Sequence, residues 1–488
     1  MASNGRQLKT MNRILKKWKK VPLVIKVSVS YAICNVLQKC LSFITLPLFT
    51  RLLTTDQYGQ YTVYQSWLGI ISIFLTLNLA YGSFSTAMVK YEKDRDGYIA
   101  SLEGICLVLS TIFLIIYLPF QNYWNRLFQL PSWIILIMVV EIIFSTAFQL
   151  WSGKKRFEFK YKSVIGSTFL TAILSPLLAY LLIQVMQQNG YARILGYSCI
   201  TIAIGGFLFI LNLIRGKRFY SSEYWKFALG FNIPLIAYYL SQTIFNQSDR
   251  IMISHLCGES EAAMYGVAYN LAMVLTFVLN AINNSYIPWF YGKIKEGRPE
   301  DNQTISCGIA LILSLMLLCV IWFAPEIIKL MAGENYTPAI PVVAPISMSL
   351  LLLFYAQLFI NVEFYYEEKK LLVCASIGAA VLNIGLNAIL IPIFSFVAAG
   401  YTTLASYIVF VICNYFAMRQ TMKKRQQKTE MYRLSYLVAI LVVFIISSFL
   451  GVALYDYFFV RIMIALIILI ILICLRNILL GIMKEIKK

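Results

Sequence analysis

Histidine is almost missing from this chain: His255 is the single example in 488 residues. That removes the commonest general base and metal ligand, and with it any His-based metal site. Charge is scarce too, at 13% of residues, and acid is the scarcer sign, with 22 Asp and Glu against 42 Lys and Arg. No GxxxxGKS or GxxxxGKT run is present, which removes the phosphate-cradling loop of an ATPase. No polar segment is long enough to hold a catalytic domain, so an integral lipid-sugar polymerase or ligase with a large outer loop is disfavoured. The ten cysteines lack metal-ligand spacing. Most sit inside apolar runs (Cys34, Cys40, Cys106, Cys199, Cys319, Cys374, Cys413 and Cys474), where they read as small buried hydrophobes.

Apolar sequence is what remains. The chain is 60% hydrophobic, with a mean hydropathy of +0.73. A water-soluble domain could not hide that much apolar surface. The runs are about twenty residues long, the length of a membrane-crossing helix, and show none of the ten-residue alternation of a barrel. The expected fold is an all-α polytopic membrane protein with about 14 transmembrane helices. The first six spans are 27–49, 61–83, 99–120, 131–151, 164–185 and 192–213. The next six are 227–247, 262–289, 305–323, 339–360, 372–394 and 398–417, and the last two are 434–454 and 458–480. The net charge of +20 would suggest nucleic acid in a soluble protein. Here the basic residues cluster between the spans, where topology and anionic headgroups account for them, and no nucleic-acid partner is expected.

The charge asymmetry tests the span count. With both termini cytoplasmic, only Arg51, Arg126, Arg193, Arg250, Lys329 and Arg461 fall on the outer side, and Lys39 within a span. The other basic residues are cytoplasmic. Losing one span would reverse every later segment and destroy this bias. The resulting organisation is a basic cytoplasmic tail (1–26), an N-terminal six-helix bundle (27–213), a cytoplasmic linker (214–226) and a C-terminal six-helix bundle (227–418). A second basic linker (419–433), the final helix pair (434–482) and a short cytoplasmic tail (483–488) follow. The N-terminus has no small-residue cleavage motif, so the first helix is read as uncleaved. The two bundles look related: Tyr58-Gly59 and Tyr265-Gly266 each open a long helix on the outer side. Six spans per copy gives parallel repeats about an axis along the membrane normal.

The stretch 22–67 carries the sharpest functional signal. Lys39 lies near the middle of the first span, with Ser28, Asn35 and Ser42 on its face. A charge at mid-depth is costly unless it meets protein or water. Lys39 is read as a cationic contact for an anionic substrate, as half of a buried ion pair with Glu141, or as a snorkelling side chain. Glu141, deep in the fourth span, is either that partner or a protonatable coupling group. Arg51 follows Pro47 at the outer end of the first span, a candidate gate or entry contact. Asn246, Asp249 and Arg250 close the seventh span, where the two charges face a cavity or anchor the interface. Asn280 with Asn284, Gln357 with Asn361, and Asn383 with Asn387 share helix faces; Asn283 and Glu363 are further polar positions. These amides would hydrogen-bond sugar hydroxyls or glue helices together. Tyr238 and Tyr239 are candidates for stacking on sugar rings, whereas Trp124, Trp133, Trp225, Trp289 and Trp322 fit an interfacial belt.

The run Leu46-Pro47-Leu48-Phe49-Thr50-Arg51-Leu52-Leu53, followed by Asp56-Gln57-Tyr58-Gly59-Gln60-Tyr61, carries a family resemblance. In the second half Asp249-Arg250-Ile251-Met252-Ile253 precedes Tyr265-Gly266. In these motifs, their order and the span count, the chain resembles the polysaccharide-transporter flippases of the multidrug/oligosaccharidyl-lipid/polysaccharide exporter superfamily. The resemblance covers nearly the whole chain. It implies a non-enzymatic flippase, working by alternating access, in the bacterial inner (cytoplasmic) membrane. Such a protein moves undecaprenyl-diphosphate-linked oligosaccharides to the outer leaflet for O-antigen, capsule or exopolysaccharide synthesis. It implies no cofactor, coupling to a proton or sodium gradient or to membrane potential, and membrane lipids and the polysaccharide polymerase machinery as partners. Lys39 favours this reading. Glu141 and Asp249 keep a cation-coupled multidrug exporter open, and a lipid II flippase shares the span count and a cationic cavity.

Overall fold

The structure, a computed structural model, describes residues 34, 37, 41, 43–186, 190–368, 370–427 and 429–464. Every regular element among them is helical, and ten of these helices are long and apolar enough to cross a membrane. A helix suits this setting because it satisfies its own backbone groups without water. The chain divides into two compact units, Met1–Leu46 with Ile71–Ile236, and Pro47–Ile70 with Ala237–Lys488.

Two early helices, α1 (Phe43–Leu52) and α2 (Thr55–Thr76), are joined by a tight turn. The expected second span ends early: Leu77 and Asn78 take positive φ and stop α2, and the chain resumes as the short α3 (Phe84–Lys90). The first unit continues with α4 (Arg95–Tyr117), α5 (Gln121–Phe128), α6 (Ser132–Phe157), α7 (Tyr161–Val185), α8 (Gly190–Gly216) and α9 (Ser222–Asn232). Side-chain caps set two starts. Asp94 accepts from the Gly97 amide at 3.1 Å to open α4, and Ser221 accepts from the Tyr224 amide to open α9. Small residues let α8 approach its neighbours closely: a Cβ on Gly196 would meet the Ala179 backbone, and one on Gly205 the Phe144 carbonyl, each at 2.3 Å.

The polar end of this unit is tied by charge. Glu158, just past α6, pairs with Lys155 (2.9 Å), Lys160 (3.1 Å) and Lys154 (3.3 Å), and Lys154 also bonds Asp96. Burial alone would raise the Glu158 carboxyl. The hydrogen bonds from Lys155 and Lys160 and the nearby ammonium charges outweigh it and hold it at about 2. Asn232, at the end of α9, donates to Ser83 Oγ at 3.0 Å and accepts from the Ser83 amide at 3.3 Å, which fastens the break in the second span.

The expected seventh span is also interrupted, here by a proline. Pro234 sits in the 3-10 turn Ile233–Leu235 between α9 and α10 (Ile236–Leu256). The second unit then runs through α11 (Glu259–Ala272), α12 (Thr276–Lys295), α13 (Asn302–Trp322), α14 (Ala324–Ala332), α15 (Ile340–Tyr365), α16 (Lys370–Phe394), α17 (Val397–Lys424) and α18 (Leu434–Ala453). Helix α15 is buried along most of its length, whereas α18 presents much of its surface outward. An all-round apolar helix of that kind belongs at the centre of a bundle. The core around it joins Leu351, Phe354, Leu358 and Val362 to Phe290 of α12, Leu317 of α13 and Phe444 of α18. The C-terminal segment is clamped to α13 and α14. Arg461 grips Glu326 bidentately at 2.6 and 2.9 Å, and Trp322 Nε1 donates to the Ser447 carbonyl at 2.9 Å.

Candidate functional site

Three polar arrangements stand out in the second unit. The first centres on Asp249. Its carboxylate accepts from Tyr265 (2.5 Å), Asn387 (2.6 Å) and Thr403 (2.8 Å), so one buried acid ties α10 to α11, α16 and α17. Thr402 donates to Asn387 Oδ1, and Asn383 bridges Ser248 and Thr403. A buried carboxylate is tolerated when donors surround it in this way. Arg250, its neighbour in sequence, points elsewhere: it stacks 4.3 Å over Tyr269 and donates to Gln247 at 2.6 Å. Asn246 accepts from Tyr269 at 3.4 Å and belongs with that group.

The second arrangement is a polar stripe on α12. Asn280, Asn284 and Ser285 are exposed on one face of a helix otherwise apolar enough to span a bilayer. Beside it Asn283 donates to Gln357 of α15, and Asn361 lies one turn further along that helix.

The third is the packing of α1 and α2 onto α11 and the segment around 330–336, all within this unit. Thr50 donates to the Met331 carbonyl and Arg51 to the Leu330 carbonyl, each at 3.1 Å, and the Tyr58 and Tyr336 rings meet at 6.0 Å. Ser260 donates to Thr55 at 2.7 Å. The two Tyr-Gly motifs lie on neighbouring helices: a Cβ on Gly59 would meet the Glu259 carbonyl at 1.9 Å, and one on Gly266 the Thr62 side chain at 2.8 Å. Glycine at both crossings lets the helices approach closely, backbone to backbone at Gly59 and backbone to side chain at Gly266.

In the first unit Glu141 is buried and accepts from Ser198 at 2.5 Å, a link between α6 and α8. Asn35, Lys39 and Ser42 lie outside the described residues. Tyr238 and Tyr239 are half-buried, with their rings 5.6 Å apart. The structure thus gathers Asp249 with Asn387; on α12 it is Asn283 that meets Gln357 of α15, while Asn280 and Asn284 lie exposed beside it. It sets Arg51 apart, on a backbone carbonyl, and Glu141 with Ser198.

Two features escaped sequence reasoning. Glu103 is fully enclosed in α4 and accepts from Asn212 at 2.7 Å. The criterion that singles out Glu141, an acid flanked by apolar residues, finds Glu103 as well. Thr402 and Thr403 carry no such signal, since hydroxyls near a helix start are ordinary. Among the described residues no three His, Cys, Asp or Glu side chains gather as a metal site.

Comparison with known proteins gives the family. A family model described as "Polysaccharide biosynthesis protein" matches residues 24–292, more than half of the chain, and the MatE model matches residues 234–389. The "Lsg locus putative protein 1" of Haemophilus influenzae is 23% identical over 370 residues, 74% of this chain and 90% of that protein. Among solved structures, the lipid II flippase MurJ in an inward closed conformation superposes with a TM-score of 0.70 at 13% identity, over 92% of this chain and 99% of that one. An inward-facing multidrug resistance MATE transporter of the MOP superfamily gives a TM-score of 0.61 at 14% identity, covering 82% and 100%. The chain belongs to the polysaccharide biosynthesis protein family; it is a multi-pass helical membrane protein that shares its fold with MurJ and the MATE transporters.

Proposed function

We propose that the protein flips polyprenyl-diphosphate-linked oligosaccharide across the bacterial cytoplasmic membrane for surface polysaccharide synthesis. The observation that carries the reading is the exposed amide stripe of α12, Asn280 and Asn284, on an apolar spanning helix. Neutral amides suit sugar hydroxyls. A cationic drug calls for acidic groups on an exposed face, and the acids of α10 and α15, Asp249 and Glu363, are both buried. Lys39 supplies the point charge for the diphosphate.

In this reading the turn between α1 and α2 marks the outer face. The contacts of Thr50, Arg51 and Gly59 with 259 and 330–331 then form an outer closure that must part before substrate leaves. Asp249 is the proposed coupling site. A proton or sodium ion on its carboxylate competes with the hydrogen bonds that join four helices there, so cation binding and helix packing are linked.

The test is leaflet transfer in proteoliposomes of three fluorescent substrates: undecaprenyl-diphosphate oligosaccharide, lipid II and a cationic dye. Preferential transfer of the oligosaccharide lipid supports the reading. Preferential transfer of lipid II or the dye replaces it.

A further inference from the structure

The interface of α12 and α15 contains a donor and acceptors that the protein leaves without partners. Asn283 Nδ2 donates to Gln357 Oε1, but Asn283 Oδ1 is buried and receives nothing. One turn on, Asn361 is 6% exposed and its Nδ2 donates to nothing. The two helices run in register. Tyr291 stacks edge-on with Tyr365 at 5.2 Å, and this pair has the same sequence separation as Asn283 and Gln357. Asn361 is therefore level with Ile287 and Pro288. Pro288 lies inside α12 and has no amide hydrogen, so the Asn284 carbonyl loses its helical donor at the same level.

An unpaired buried amide costs about 1–3 kcal/mol, and here a donor and two acceptors gather beside the exposed stripe of Asn280 and Asn284. We propose that this gap is a hydroxyl-reading subsite for the glycan, in which a sugar hydroxyl donates to Asn283 Oδ1 or the Asn284 carbonyl and accepts from Asn361 Nδ2. A hydroxyl is the group that offers both functions from one atom. The polyprenyl chain has no hydroxyl, and the largely ionised diphosphate acts chiefly as an acceptor, so neither satisfies it as a sugar hydroxyl does. This inference rests on the oligosaccharide-lipid reading and adds the residues that sense the sugar.

The experiment compares binding of two probes to the full chain in nanodiscs: lipid-linked oligosaccharide extracted from the producing cells, and bare undecaprenyl diphosphate. Asn361→Leu is expected to weaken the oligosaccharide lipid about tenfold, the discrimination of one lost hydrogen bond, and to leave the bare lipid unchanged. Asn361→Gln, which keeps the donor, is expected to recover part of the loss. Equal weakening of both probes, or of neither, overturns the subsite, the second result indicating that a fixed water fills the gap. Failure of the unmodified protein to bind the oligosaccharide lipid more tightly than the bare lipid overturns the underlying reading instead. A melting curve for each variant separates lost recognition from lost folding.

Discussion

At the scale of single residues, the protein keeps its buried charges by surrounding them. Asp249 is the clearest example, with three side-chain donors from three helices. Asp249→Ala leaves those donors facing a void and is expected to destabilise the protein by at least about 3 kcal/mol. Asp249→Asn, which keeps the volume and one acceptor oxygen, is expected to cost less, and thermal melts in detergent check both. Glu158 gives a pH prediction. Its carboxyl is held at about 2, below the ordinary value near 4.5, so its stabilising contribution is complete above that ordinary value. It declines as pH falls from there through about 2. Melting temperature should therefore drop across that window in the unmodified protein and drop less in Glu158→Gln; equal drops would remove the role assigned to the carboxylate. How much of this was legible varies with the residue. Glu141 and Asp249 stand out because acids are rare in apolar sequence. Their partners Ser198 and Thr403 do not, because a serine or threonine in a spanning helix usually bonds its own backbone, as Ser406 does to the Thr402 carbonyl at 2.8 Å.

At the scale of elements, the apolar runs announce most helices within a few residues, since hydropathy reports what a bilayer requires. The breaks are less legible. Proline at 234 signals one, but the end of α2 at Leu77 and Asn78 has no proline or glycine to mark it. Proximity is invisible in one dimension: the Tyr-Gly spacing shows two similar helix starts and says nothing of Gly59 lying against Glu259. That crossing leaves no room for a side chain. Gly59→Leu is expected to separate α2 from α11, at a cost of about 1–3 kcal/mol or more, and to impair transport in protein that still reaches the membrane; Gly292→Ala, in open space, is the matched control. The clamp on the C-terminal segment yields a second expectation. Arg461→Met removes the bidentate partner of a part-exposed Glu326 and should lower stability by about 1–3 kcal/mol. Limited proteolysis should then cut first near 455–457, and an unchanged digestion pattern would mean that packing of Trp322 against Ser447 and Gly451 holds the segment alone.

At the scale of the molecule, composition and charge asymmetry gave the class, an all-helical chain crossing the membrane many times, and ten described helices bear that out. The family follows from motifs spread over 24–292. Substrate identity is not encoded in any one motif. It depends on which polar faces line a common path, and the stripe of Asn280 and Asn284 and the amides of α15 enter that argument through their position. The central claim is that a cation within the first span holds the diphosphate while the glycan is carried across. Its most direct measurement is the rate at which labelled undecaprenyl-diphosphate oligosaccharide changes leaflet in vesicles holding equal amounts of unmodified protein or Lys39→Ala. The account predicts transfer by the unmodified protein and at least a tenfold slower rate in the variant, with insertion unaltered. Equal rates would contradict it.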